Sequence, residues 1–167
     1  MTHAHLSSEA LFDNGQWVSY PGRGVGIIKA TETLEYNGIA EAFYKVEFQD
    51  PFLVLRVPTE KAFKNGMRAM GSKKDMQKAL KIISENPNTL KGLWIHRAAL
   101  HEKKIGSGHL LEVAEVIRDL KPLYKTEILS FSDRGLFTKG IARLVGEMTI
   151  VEKMEAASAE KKVLSLL

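Results

Sequence analysis

The residues best suited to chemistry lie in the stretch from Lys91 to Lys104, which holds Trp94, His96, Arg97, His101, Glu102, Lys103 and Lys104. It follows a turn-forming run, Asn86 to Thr89, and reads as a helix that ends near Gly106-Ser107-Gly108. On a 3.6-residue helix, Trp94, Arg97, His101 and Lys104 share a face about a quarter of the circumference wide. A large aromatic among cationic and titratable side chains suits nucleic acid, because rings stack on bases and cations neutralise phosphates. Ile105 falls on the same face, so packing of Trp94 into a small helical core stays open on this pattern alone.

Other chemistry is missing. The five histidines do not cluster: His96 and His101 stand about 140° apart around a helix, with no acid at a chelating offset. There is no cysteine, no Gly-x-Ser-x-Gly elbow and no distinct carboxylate pair. The run from Gly22 to Gly26 lacks the Gly-Lys-Ser/Thr ending of a phosphate loop and leads into a strand, so it reads as a bend. Neither an enzyme nor a metal or other cofactor is expected. No helix pair carries the compact turn and polar recognition face of a helix-turn-helix repressor. No apolar run approaches the roughly 18 residues of a membrane span, and the N-terminus lacks the features of a signal peptide. The expectation is a cytoplasmic, monomeric protein.

Two textures must position the Trp94 helix. From Gly15 to Pro58 the chain reads as β. Runs around Trp17–Tyr20, Val25–Tyr36, Ile39–Phe48 and Phe52–Val57 are parted by glycine, proline and asparagine. Asn37-Gly38 predicts a type I′ hairpin, whose two central residues need positive φ. In the third run Ala42, Tyr44, Val46 and Phe48 take one side, and Glu41, Lys45 and Glu47 the other. In the fourth, Leu53, Leu55 and Val57 point inward, leaving Phe52, Val54 and Arg56 outward. These three make either a protein-docking patch or the second face of a strand buried on both sides. Four or five short strands predict a small SH3-like or Tudor-like barrel.

Beyond Gly71 the period becomes helical. Ser72 caps a helix over 73–85 with Met76, Ala79, Leu80 and Ile83 inward, and the Trp94 helix follows. Residues 109–120 place Leu110, Val113, Ile117 and Leu120 inward, with Glu112, Glu115 and Asp119 outward. Ser130 and Asp133 open a long helix, and 156–167 forms a last short one. The fold class is therefore α+β in two domains, a β domain over 11–66 and a bundle of about five helices over 72–167. A flexible leader over 1–10 and a linker over 67–71 complete it.

Charge divides the same way. Residues 1–70 carry net −1 and residues 71–167 net +5, the excess falling between Lys73 and Lys104, with 8 basic and 3 acidic residues. One half thus suits a polyanion while the other has a separate task.

Several stretches together resemble the CarD/CdnL family of bacterial RNA-polymerase-binding transcription regulators. They are Tyr20-Pro21 with Gly24-Val25, the strand end Arg56-Val57-Pro58, the helix at Trp94, the segment Val113 to Leu120, and Ser130-x-x-Asp133 before Ala142 to Glu147. The resemblance runs from about Phe12 to Met154. It implies a β domain similar to the polymerase-interacting domain of transcription-repair coupling factors, binding the RNA polymerase β subunit through Arg56, with Val54 and Phe52 beside it. It implies a helical domain that meets promoter DNA in the minor groove, without base-sequence specificity, at the upstream fork of the melted −10 region. The family's wedge tryptophan falls on Trp94 and a DNA-side arginine on Arg97, with His96, His101 and Lys104 completing the expected DNA set. A second polymerase-facing basic position falls on Leu34, and a frequent histidine is Arg23 here. The alternative is an adaptor on polymerase whose helical half never touches DNA.

Overall fold

The computed structural model describes residues 11–49, 53–88 and 94–167, with the backbone alone at Trp94 and Ile95. The expected leader over 1–10 and Phe52 lie outside the described residues.

The β half is an antiparallel five-stranded sheet. Its strands are β1 (Trp17–Tyr20), β2 (Gly24–Tyr36), β3 (Ile39–Phe48), β4 (Val54–Pro58) and β5 (Arg68–Ala69), in the spatial order β4-β3-β2-β1-β5. Asn37 and Gly38 adopt φ of 51° and 75°, the left-handed pair a type I′ turn requires, and Tyr36 faces Ile39 across it. The β2–β3 register slips between Ile28 and Ala30, a bulge that lets the inward set change parity along β2. Tyr44, Val46 and Phe48 are buried as their alternation predicts, with Val18, Ile28 and Val57. Phe12 closes one end, its ring edge-on to Tyr44 at 5.9 Å and its N–H donating to Tyr44 Oη at 3.2 Å. The short helix α1 (Thr59–Ala62) packs on β3 and β4.

The segment expected to be a linker is not one. Met67 is buried in the sheet's core, and Arg68-Ala69 pair with Ser19 and Val18 of β1 as β5. The edge of β1 offers unpaired backbone groups, and a short strand beside a buried methionine satisfies them.

Five helices follow: α2 (Lys73–Ser84), α3 (Trp94–Ser107), α4 (Leu110–Lys125), α5 (Phe131–Val151) and α6 (Ala156–Leu164). Ser72 and Asp75 form a reciprocal capping box at α2, and the Ser130 hydroxyl accepts from the Asp133 N–H at α5. The bundle core centres on Met76, Ile83, Val113, Ile117, Leu144 and Met148. Gly140 lets α5 approach closely, since a Cβ there would meet Ile117 Cγ1 at 3.1 Å and Ile105 Cδ1 at 3.3 Å. The molecule is α+β, as expected. No described helix is long and apolar enough to cross a membrane.

Sheet and bundle meet at one buried ion pair. Arg68 Nη1 and Nη2 donate to the two carboxylate oxygens of Glu147 at 2.9 and 2.8 Å. Arg68 Nη2 also donates to the Gly108 carbonyl at 2.7 Å, and the Gly71 N–H donates to Glu147 at 2.8 Å. The Glu147 side chain is 4% exposed, so its charge relies on these donors in place of water. At a second contact Gln49 Nε2 donates to Thr149 Oγ1 at 3.3 Å.

A second buried charge lies where α3 packs on α4. Asp119, expected outward, is turned in, with a side chain only 4% exposed. The reason is that α4 packs against α2, α3 and α5. It therefore buries a wider arc than one apolar stripe, and Val116 and Asp119 lie on the added part. Asp119 Oδ1 accepts from Arg118 Nε and from the Asn88 N–H, both at 2.8 Å. Burial pushes its carboxyl up, but the His101 imidazole, the Arg118 guanidinium and the Asn88 N–H outweigh that and hold it at about 2, below the ordinary 3.8.

Two outcomes are expected. Arg68→Ala, which strands Glu147, should cost roughly 3–5 kcal/mol in urea unfolding. A loss below about 1 kcal/mol would remove this pair from the stability of the fold. Asp119 is depressed in the folded state, so its contribution is present above its ordinary pKa and is lost as pH falls toward 2. Asp119→Asn should lower stability at neutral pH by roughly 2 kcal/mol and flatten the acid side of the stability profile. An acid limb equally steep in the variant would assign that loss to other carboxylates.

Candidate nucleic-acid and docking faces

Helix α3 begins at Trp94, directly after a run of residues outside the described set. Its backbone places Trp94 at the N-terminal end of the helix, and the Trp94 side chain lies outside the described residues. Along the rest of α3 the two sides separate. His96, Arg97 and Lys103 are exposed, while His101 and Ile105 are buried at 5% and 3% exposure and Ala98 is half-buried.

The single face expected from spacing is therefore divided. Arg97 stays outside, with no ion pair among the described residues, and His96 stays beside it. His101 does not. It faces Asp119, with Nε2 at 3.9 Å from Oδ2, beyond hydrogen-bond reach, and that nitrogen has no partner among the described residues. A buried imidazole makes no direct contact with DNA, so its expected place in the DNA set is corrected. Lys104 is corrected in part: it is half-buried, and its Nζ is bound to Glu115 Oε2 of α4. The physical reason is that α3 rests on both α4 and α5, so Ala98, His101 and Ile105, spaced by three and four, turn inward.

One small cavity marks where this end of α3 sits. It holds about 290 Å³ and is lined by Arg97, Ala98 and His101 of α3, by Asp119, Pro122 and Leu123 of α4, and by Asp133 of α5. The first turn of α3, the last turn of α4 and the first turn of α5 thus share one end of the bundle. Exposed cations stand on the helices around it, including Lys125, Arg134 and Lys139.

The other face lies on the outside of the sheet. Val54 is 44% exposed and Arg56 is exposed, on the side opposite the buried Val57. Leu55 and Leu53 pack on the sheet's core, which settles the strand in favour of one buried side and one open side. Arg56 Nε donates to Glu32 Oε2 at 2.9 Å, and Lys45 Nζ stands 3.8 Å from Glu32 Oε1. The hydrogen bond from Arg56 is the main influence lowering the Glu32 carboxyl below its ordinary range. The guanidinium is thus aimed by a neighbour on β2, yet half its side chain remains open to solvent. Leu34, 42% exposed, lies on the same face, two residues along β2 from Glu32.

Glu32 and Arg118 escape the sequence reading, Lys45 reads there only as an outward residue, and Asp119 only as a surface acid. The Asn37-Gly38 turn gives a register, but the bulge at Lys29 shifts the partner of every residue beyond it. Arg118-Asp119 is visible as adjacent opposite charges. Its burial shows only once α3 covers it.

Two family descriptions match this chain in consecutive parts. Residues 12–70 match the CarD-like/TRCF RID domain, and residues 78–164 match CarD, C-terminal domain. The chain is also 24% identical over 142 residues to YdeB of Bacillus subtilis (strain 168), a protein named as a transcription factor, covering 85% of this chain and 93% of that one. The sheet with Arg56 on its open face and the bundle headed by Trp94 fall within those two matches, and the chain belongs to the CarD family of transcription regulators, not to a family of enzymes.

Proposed function

We propose that the protein is tethered to the RNA polymerase β subunit by the outer sheet face and stabilises the open promoter complex through the Trp94 end of its bundle. The match of residues 12–70 to a polymerase-interacting type of domain supports the tether. Arg56 and Val54 are its anchors on the described surface; Phe52, expected with them, lies outside the described residues. An arginine flanked by apolar side chains suits the centre of a protein interface.

The observation that carries the DNA reading is the division of α3. Its inner side is held by the buried His101 and Ile105 and by Lys104 on Glu115, while His96 and Arg97 are exposed in the turn that Trp94 begins. A wedge works only if its base is rigid, because a compliant one spends its interaction energy on reordering itself. Arg97, with the exposed lysines of the helical half, would hold phosphates without sequence choice. His101 and Lys104 serve as supports in this arrangement.

The magnitudes are adequate. Full burial of a tryptophan removes about 150–250 Å² from water, or roughly 4–6 kcal/mol at 25 cal/mol/Å², and a half-inserted ring keeps about half. Unstacking costs a few kcal/mol in intact duplex, but at the edge of a melted region the step is already open. A preference of about 1.4 kcal/mol for open over closed DNA shifts their ratio tenfold, and a ligand shifts the equilibrium only through such a difference.

Trp94→Ala should leave polymerase binding unchanged and shorten open-complex lifetime by roughly tenfold. Lifetimes equal to wild type would end the wedge reading and favour an adaptor without DNA contact. Arg56→Glu places a second carboxylate beside Glu32 and should weaken binding to an isolated β-subunit fragment by tenfold or more, on the order of 1.4 kcal/mol. An unchanged affinity would take Arg56 out of the docking face.

A further inference from the structure

The end of the bundle at which α3 begins carries an aromatic side chain that the described fold leaves unburied. Phe131 opens α5 and is 96% exposed, more than any other large apolar side chain among the described residues. Ile128, three residues earlier, is 70% exposed. The helix start does not need the ring, because Ser130 and Asp133 already cap it through the Asp133 N–H and the two side chains. Nor does the core, which takes Leu136 and Phe137 from the next turn.

Position and charge indicate what this ring meets. The cavity lined by Arg97, Leu123 and Asp133 brings the starts of α3 and α5 to the same end of the molecule. Arg134 and Arg97 are both exposed, and neither has an ion pair among the described residues. The Asp133 carboxylate is already occupied by the Ser130 hydroxyl. An almost fully exposed ring, with Ile128 near it in sequence and unpaired arginines on the starts of α3 and α5, has the form of a side chain that stacks on an unpaired base, with cations left for the flanking phosphates. A protein partner would call for a wider apolar area with charge kept to its rim.

We infer that Phe131 is a second DNA-contacting aromatic, packing on an unstacked base or its sugar at the fork while Arg134 engages the adjoining phosphate. This rests on the reading of Trp94 given above, and extends the contact from one helix end to two.

The test uses the full chain with RNA polymerase, a promoter and a pre-melted fork DNA, comparing Phe131→Ala, Phe131→Trp and Trp94→Ala. Phe131→Ala should lower fork affinity and open-complex lifetime roughly tenfold with polymerase affinity unchanged, and Phe131→Trp should keep both near wild type. The ring is exposed, so the unfolding midpoint of each Phe131 variant should match wild type. Lifetimes unaffected by Phe131→Ala but shortened by Trp94→Ala would overturn this inference and leave the Trp94 reading standing. If neither variant changes them, the DNA reading fails and this inference with it. A loss confined to polymerase affinity would make Phe131 a protein contact and overturn the assignment, as would failure of tryptophan to substitute for phenylalanine.

Discussion

Arg68 and Glu147 form the buried ion pair that joins the sheet to the bundle. A buried carboxylate must find its hydrogen bonds inside the protein, and Glu147 finds them in both nitrogens of one guanidinium and in the Gly71 N–H. The fork geometry of arginine fixes this arrangement, and the Gly108 and Ala69 carbonyls accept from further donors of the same guanidinium. Strand β5, the turn before α4 and the C-terminal part of α5 are therefore brought to one point. The sheet face around Arg56 and the bundle end at Trp94 consequently keep a fixed relation. A molecule held at the first presents the second in one orientation, which is what a tethered regulator needs in order to favour one form of a nearby DNA over another.

Helix α3 shows the same logic on a smaller scale. Its polar residues divide into those that anchor and those that reach out. Lys104 meets Glu115, so the side that packs on α4 is held by an ion pair as well as by the buried His101 and Ile105. Among the described residues His101 Nε2 has no hydrogen-bond partner. Phe131 extends the outer surface to the start of α5, so two helix ends, not one, form the end that faces outward.

Much of this was legible in the chain. The Asn37-Gly38 turn, the alternation from Ala42 to Phe48 and the serine caps at 72 and 130 depend on backbone preferences of a few neighbouring residues, and each gave the element that forms. The two-part order and the sidedness of β4 followed from the same local patterns. The places where the reading failed have a common cause. Residues 67–71 look like a linker until the edge of β1 is there to pair with them. Asp119 looks like a surface acid, and His101 like part of a DNA face, until α3 and α4 are laid together.

The amino-acid sequence by itself determined the elements, the division into a near-neutral sheet and a basic bundle, and the family to which the pattern belongs. These depend on periodicity, caps and charge, which act over a few residues. Only the tertiary structure decided which polar side chains face solvent. A helix packed on two neighbours buries an arc that no single-helix projection contains, and an ion pair spanning 79 residues, such as Arg68 with Glu147, has no local signal at all. For the same reason the sequence singled out Trp94, whereas the exposed position of Phe131 emerged only when the ends of α3, α4 and α5 were brought together.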